Sequence, residues 1–205
     1  MSNIITVSRE FGSGGREFAR HLAEALGYDY YDKEILGEIA KNTEFSEEYV
    51  KSVIDRKPHR LFPISIGHSF SSGVDYQMMQ MQTIFSAQFD TITELAEKSD
   101  CVIVGRCADY ILRDKKPYRI FVYGDMDKRI QRCIDHVQGD ESSDPDVVKK
   151  WIIKLDKDRA QYYEDYTGQK WGDKQYFDLC INTSKFDVKF LAESIAEFYK
   201  QTLAK

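Results

Sequence analysis

Positive charge is in short supply in this sequence: 29 lysines and arginines face 34 acidic residues, a net charge of -5. That balance gives no general attraction to a nucleic-acid backbone, so any phosphate site must be local. Cysteine is sparse too. Cys101, Cys107, Cys133 and Cys180 form no C-x-x-C pair and no His/Cys cluster at zinc spacing, which excludes a disulfide framework and a zinc site and reads the four as reduced, packed thiols. Long apolar runs are missing. Met1-Ser2-Asn3-Ile4-Ile5-Thr6-Val7 is too short in its apolar part for a secretory signal, and no later run approaches membrane-spanning length. The expectation is a soluble, cytoplasmic protein with neither nucleic acid nor membrane as partner; the sequence leaves its oligomeric state open.

What is present suffices for one domain: 205 residues, 42% of them hydrophobic, can bury a substantial core. Ile4-Ile5-Thr6-Val7 is a β-branched run that ends in a glycine cluster. From Arg16 to Leu26 the apolar residues change to helical spacing, with Phe18, Ala19, Leu22, Ala23 and Leu26 on one face. Gly27 then stops the helix, and Tyr28-Asp29-Tyr30-Tyr31 follows as a second strand. Strand, glycine turn, helix, strand is a βαβ unit and implies a parallel sheet.

Farther along, Asp32 and Ser46 can cap short helices. The stretch Arg56 to Gly73 has no period and reads as a long loop, a connector or a substrate flap. Met78, Met81, Phe85, Phe89, Ile92 and Leu95 predict a buried helix over Asp75 to Lys98. Cys101-Val102-Ile103-Val104 and Tyr118 to Tyr123 read as strands with a short helix, Asp109 to Leu112, between them. Helices follow over Lys128 to Val137 and Val147 to Tyr163, separated by an acidic, breaker-rich loop. A last strand, Asp178-Leu179-Cys180-Ile181, leads into a terminal helix in which Phe190, Leu191, Ile195 and Phe198 are expected to face inward. Five strands alternating with helices make a three-layer α/β fold.

The turn Gly12-Ser13-Gly14-Gly15 joins a strand to a helix, where backbone N–H groups and the helix dipole favour an anion and glycines let it come close. Against G-x-x-x-x-G-K-[ST], residues 10–17 match at Gly15. They place Glu10 for glycine, Arg16 for lysine and Glu17 for the magnesium-binding hydroxyl. Arg16 keeps the charge as a planar fork. Glu17 must point away from phosphate, take magnesium itself, or favour the helix N-terminus electrostatically. Gly12 and Gly14 also fit the start of G-x-G-x-x-G, with Asp32 spaced for a ribose contact, so a nicotinamide-dinucleotide site is an alternative; Glu17 stands where its third glycine belongs.

With Ser8-Arg9-Glu10-Phe11-Gly12-Ser13-Gly14-Gly15-Arg16-Glu17, Tyr31-Asp32-Lys33-Glu34, Val104-Gly105-Arg106 and Asp178 to Thr183 in that order, the chain resembles the cytidylate kinase-like family over nearly its whole length. The resemblance implies a P-loop nucleoside monophosphate kinase fold with a five-stranded parallel sheet, an acceptor-binding insertion near residues 40–75 and a lid loop near residues 137–147. It implies ATP and Mg2+ as cofactors and nucleotides as substrates.

By the same resemblance Gly12, Ser13, Gly14, Gly15, Arg16 and Glu17 hold the donor phosphates. Asp32, Arg106, Asp156 and Arg159 address the acceptor, and Arg16, Arg129, Arg132 and Arg159 neutralise the transferring phosphoryl group. Cys107 stands where those kinases carry the aspartate of Gly-Arg-Asp, which unsettles a preference for cytosine. Alternatives are a kinase with an acceptor other than CMP and a nucleotide-binding module without turnover. Tyr162, Tyr163, Tyr166 and Trp171 read as packing, or as an aromatic wall for a base.

Overall fold

The computed structural model describes residues 2–55, 72–136 and 143–203. Five parallel strands form one sheet: β1 (Ile4–Arg9), β2 (Asp29–Tyr31), β3 (Cys101–Val104), β4 (Tyr118–Tyr123) and β5 (Leu179–Asn182), in the order β2-β3-β1-β4-β5. Strand β1 lies at the centre, with Ile5 opposite Val102 on one side and Tyr118 on the other. In a dinucleotide-binding sheet β1 pairs with β2. Here β3 and β4 flank it, and the nicotinamide alternative is set aside on topology.

Helices cover both faces. On one, Phe18, Ala19 and Leu22 of α1 (Gly15–Leu26), with Val188, Ala192, Ala196 and Tyr199 of α8 (Val188–Leu203), close over Ile5, Val7, Val104 and Val122. On the other, Ile4, Cys101 and Ile103 meet α2 (Glu34–Lys41), α3 (Glu47–Asp55), α4 (Ser72–Lys98), α5 (Ala108–Ile111) and Tyr162 and Tyr163 of α7 (Pro145–Thr167). Helix α6 (Met126–Asp135) lies beside α7. Each large side chain buried outright, such as Phe18 or Leu22, contributes about 1.5–3 kcal/mol of transfer free energy.

Local chemistry sets the helix ends. Gly27, at φ 70°, closes α1 in the left-handed conformation that its sequence position calls for. The Ser46 Oγ accepts from Tyr49 N at 3.2 Å and starts α3. Asp144 Oδ1 accepts from Asp146 N at 2.9 Å, with Pro145 opening α7 two residues before the predicted Val147.

The structure corrects the sequence in several places. Phe190 and Phe198 of α8 are 65% and 49% exposed, while Ala192 and Ala196 face inward. Helix α8 packs closely on α1, whose contact face carries Ala19 and Ala23, and a phenylalanine turned into that seam would overpack it. In α4 the buried stripe is Ile84, Gln88, Ile92 and Leu95; Phe89 is 39% exposed. Asp32 caps nothing: α2 starts after Lys33 without a side-chain cap. No disulfide joins the cysteines, and Cys180 is exposed rather than packed.

The irregular stretch read from Arg56 lies outside the described residues up to residue 71, as does the lid loop over residues 137–142; Ser72 and Gly73 already belong to α4. Among the described residues no helix is long and apolar enough to cross a membrane.

Candidate active site

Between the end of β1 at Arg9 and the start of α1 at Gly15 the chain turns through two left-handed glycines, Gly12 (φ 73°) and Gly14 (φ 76°). A Cβ on Gly12 would stand 2.9 Å from both Arg129 O and Cys133 Sγ, so the turn demands glycine there twice over. Four of its amides bond within the protein: Glu10 N to Val122 O (2.9 Å), Phe11 N to Asp156 Oδ1 (2.7 Å), Ser13 N to Glu10 O (3.4 Å) and Gly15 N to Ser13 Oγ (3.3 Å). Thr183 Oγ1 donates to Ser13 O at 2.6 Å and ties the turn to the end of β5. Helix α1 opens just beyond, with the positive end of its dipole at Gly15 and Arg16. Glu17 lies exposed on that first turn, 4.0 Å from His21.

On the side facing α6 and α7, Arg129 is 4% exposed and knits the turn to both helices. Its Nε donates to Phe11 O at 2.7 Å, its Nη1 to Glu10 Oε2 at 3.0 Å, and its Nη2 to Asp156 Oδ2. Burial pushes Glu10 above the usual carboxylate range, against the pull of Arg129 and of the Gly124 amide. Arg132 Nη1 donates to Gly12 O at 3.0 Å. Arg129, Arg132 and Asp156 are therefore wrapped around the turn, and none of the three lines the cavity on its other side.

That cavity, of about 640 Å³, opens at the carboxyl ends of β1 and β3 and is lined by Arg9, Arg16, Arg106, Arg159, Lys33 and Lys51 among others, with Glu47 and Asp158 as its acidic lining residues. The carboxyl end of the strands is where open α/β sheets bind ligands. Asp32, 4% exposed, pairs with Arg16 through Nε and lies 3.6 Å from Arg9 Nη2. Arg159 Nη1 donates to Arg9 O at 3.2 Å, and Arg159 and Asp156, read as a pair addressing one ligand, are 3.9 Å apart. Of the residues expected to address the acceptor, the structure brings Arg106 and Arg159 to this cavity together with Arg16, pairs Asp32 with Arg16, and carries Asp156, like Arg129 and Arg132, behind the turn.

Arg106 is delivered by strained backbone. Gly105, Arg106 and Cys107 have φ of 72°, 60° and 53°, three successive left-handed residues of which two carry side chains, and such conformations persist only where the surroundings enforce them. Buried Gln88 supplies the restraint: its Nε2 donates to Arg106 O at 3.1 Å while its Oε1 accepts from Tyr162 OH at 3.2 Å. Cys107 is buried, and burial pushes its thiol well above the usual range, with Asp109 adding to the effect.

Gln88 and Arg9 are the contributors that sequence reasoning missed. For Gln88 a signal existed: a polar residue four positions from Ile84 and from Ile92 on an otherwise apolar stripe. The aromatic residues read as packing are packed. Tyr162 and Tyr163 are buried, Tyr166 stacks on Phe85 with ring centroids 4.1 Å apart, and Trp171 meets Phe121 edge-on at 5.4 Å. At the cavity mouth Phe11 of the turn meets exposed Trp151 edge-on at 4.7 Å, and Arg159 lies over Phe11 at 5.3 Å. A second cavity of similar volume, bordered by Asn3, Lys116 and Tyr118, lies at the amino ends of the strands, away from the glycine turn.

Comparison with known proteins fits this geometry. Residues 4–185 match the sequence profile of the cytidylate kinase-like family. An uncharacterized protein from Eubacterium ventriosum is 30% identical, with a TM-score of 0.69 over 97% of this chain and 99% of that one. Two shikimate kinases share the fold: one from Acinetobacter baumannii, solved with shikimate, at 14% identity and TM-score 0.53 over 100% and 97% of the two chains, and one from Bacteroides thetaiotaomicron at 14% and 0.55 over 99% of each. No curated protein matches the sequence.

Proposed function

We propose that this chain, which belongs to the cytidylate kinase-like family, transfers a phosphoryl group from ATP to a nucleoside monophosphate in the cavity beside the glycine turn. The observation that carries the reading is the convergence of Arg9, Arg16, Arg106 and Arg159 on that cavity at the carboxyl ends of β1 and β3, next to the opening of α1. Phosphoryl transfer asks the protein for position and for positive charge around a spread negative charge. An acceptor phosphate is already an anionic nucleophile, so no general base is required.

In this reading the donor phosphates rest against residues 12–17, with α1 supplying its dipole. Arg106, presented outward by its left-handed backbone, and Arg159, steadied by the Arg9 carbonyl, orient the acceptor. Arg16, tied to Asp32, lies between the two. Arg129 and Arg132 hold the turn in shape from behind rather than touching the transferring group. Cys107, a buried thiol, stands where the family carries its aspartate and offers no carboxylate, so the family likeness does not single out CMP among the monophosphates.

Among the described residues no three acidic, histidine or cysteine side chains cluster to hold a metal unaided. Mg2+ in such enzymes rides on phosphate oxygens with one or two carboxylates. The residues fit that use: Glu17 has an exposed carboxylate on the first turn of α1, whereas Asp32 is closed off by its arginines. Bound there, the ion would screen charge on the donor phosphates.

A coupled ADP-release assay with ATP, Mg2+ and a panel of nucleoside monophosphates and non-nucleotide acceptors tests the reading. Saturable turnover with one monophosphate is expected, and Arg106→Met should lower kcat/KM by about 10²-fold or more. A second reading, nucleotide binding without turnover, is favoured by the turn itself, which lacks the lysine and the hydroxyl and engages four amides internally. Saturable ATP binding with no product from any acceptor would establish it instead.

A further inference from the structure

We propose that Arg9 is an anion-binding residue of this cavity, whose guanidinium joins those of Arg106, Arg159 and Arg16 to hold the doubly charged phosphate end of the acceptor. The inference rests on the reading of the cavity as a phosphate-handling site, and it adds a residue to which neither the turn pattern nor the family resemblance gives a role.

The fold clears a path for this one side chain. Arg9 leaves the end of β1 and runs between two glycines on different elements. A Cβ on Gly15 would stand 2.5 Å from Arg9 Cβ and 3.0 Å from its Cγ, and a Cβ on Gly105 would overlap Arg9 Nη1. The side chain is 16% exposed, and the cavity is the space it borders.

Among the described residues little engages the charge so placed. A guanidinium carries five N–H donors, yet among the described residues the Arg9 side chain makes no hydrogen bond, and its one ion pair is the 3.6 Å contact with Asp32. Asp32 is more tightly engaged by Arg16. Burial, and then the repulsion of Arg159, Arg16 and Arg106 outweighing the attraction of Asp32, pushes Arg9 down to about 9. A bracing arginine looks different: Arg129, on the other side of the turn, has both carboxylates and a carbonyl spoken for. Arg9 and Arg16 share one carboxylate, Arg9 is further repelled by Arg159 and Arg106, and a phosphate dianion bears enough charge and enough acceptor oxygens to engage several guanidiniums at once.

The test uses the full chain without ATP turnover. Thermal unfolding and titration calorimetry are run with inorganic phosphate, with sodium chloride at matched ionic strength, and with one nucleoside as the free nucleoside and as its monophosphate. For the unmodified protein, phosphate and the monophosphate should raise Tm, and chloride and the nucleoside should not. Arg9→Met should unfold at or above the unmodified Tm in the absence of anion and lose the phosphate-dependent rise, its Kd for the monophosphate weakening about tenfold or more. It should keep its affinity for ATP within about threefold. Arg9→Lys, which restores a charge, should recover part of the rise, and Arg113→Met, at the other cavity, should change nothing.

A full phosphate rise in Arg9→Met overturns the proposal. So does a large fall in its anion-free Tm that Arg9→Lys repairs without restoring the rise, since that is the behaviour of a brace. If the anion shifts appear as expected but no acceptor is turned over, the kinase reading falls and the anion site stands. If turnover is found and Arg9→Met leaves the acceptor KM unchanged, the kinase reading stands and this inference falls.

Discussion

Two groups of arginines flank one glycine turn, and they differ in the carboxylates they are given. Behind the turn, Arg129 meets Glu10 and Asp156, and every direction of its fork ends on an acceptor. In front, Arg9, Arg16, Arg106 and Arg159 border a cavity, and buried Asp32 pairs with two of them, Arg16 and Arg9. Residue type is alike on the two sides. The difference lies in charge balance: Arg129 has two carboxylates to itself and fastens structure, whereas Arg9 and Arg16 share one.

The sharpest way to break this contrast is to remove the fastener. Arg129→Met leaves Glu10 and Asp156 facing each other with one charge gone, and it should cost about 3–5 kcal/mol of stability, read by urea denaturation. A loss below about 1 kcal/mol would place Arg129 with the functional arginines. Next comes the restraint on the front group. Gln88→Leu deprives the Arg106 carbonyl and the Tyr162 hydroxyl of a partner and should cost about 1–3 kcal/mol. By freeing the left-handed backbone it should also raise the acceptor KM more than it lowers kcat. An unchanged KM would show that Arg106 needs no such hold.

The smallest effect calibrates both groups. Arg119 and Asp178 form an isolated one-to-one pair, each about 35% exposed, with contacts of 2.8 and 3.1 Å. Burial pushes Asp178 up, but hydrogen bonds from Arg119 prevail and hold it below the ordinary 3.8. Its folded value is depressed, so its stabilisation is present above that pH and is lost as pH falls through the lower, folded value. Screening at such exposure limits it to about 0.5 kcal/mol. Asp178→Asn should remove that much stability at neutral pH and flatten the acid limb slightly, as followed by denaturant midpoints against pH.

How much of this was legible in the sequence follows from how local each signal is. The β1 run, the glycine turn, the α1 stripe and the Gly27 stop depend on neighbours along the chain, and all four stand where periodicity puts them. Phe190 and Phe198 misled because the spacing of apolar residues cannot say whether a seam is wide enough for phenylalanine; that width is set by Ala19 and Ala23, far away in sequence. Arg16, Asp32, Arg106 and Arg159 were singled out through motif resemblance. The same resemblance could not tell that Arg129 and Asp156 would be taken up by each other. Arg9 gave a faint sign, a charged residue closing an apolar strand, but its meaning depends on Gly105, whose nearness is created only when β3 lies beside β1.

The passage of Arg9 between Gly15 and Gly105 ties positions 9 and 105 into a single heritable character. A methyl at Gly105 overlaps the Arg9 guanidinium, so that glycine cannot drift while residue 9 stays long, whereas a methyl at Gly15 meets the Arg9 Cβ, which every residue but glycine carries, so Gly15 is fixed whatever side chain stands at position 9. Across a set of homologues glycine should therefore persist at position 15, while positions 9 and 105 change together or not at all, although they lie on a strand end and a distant loop.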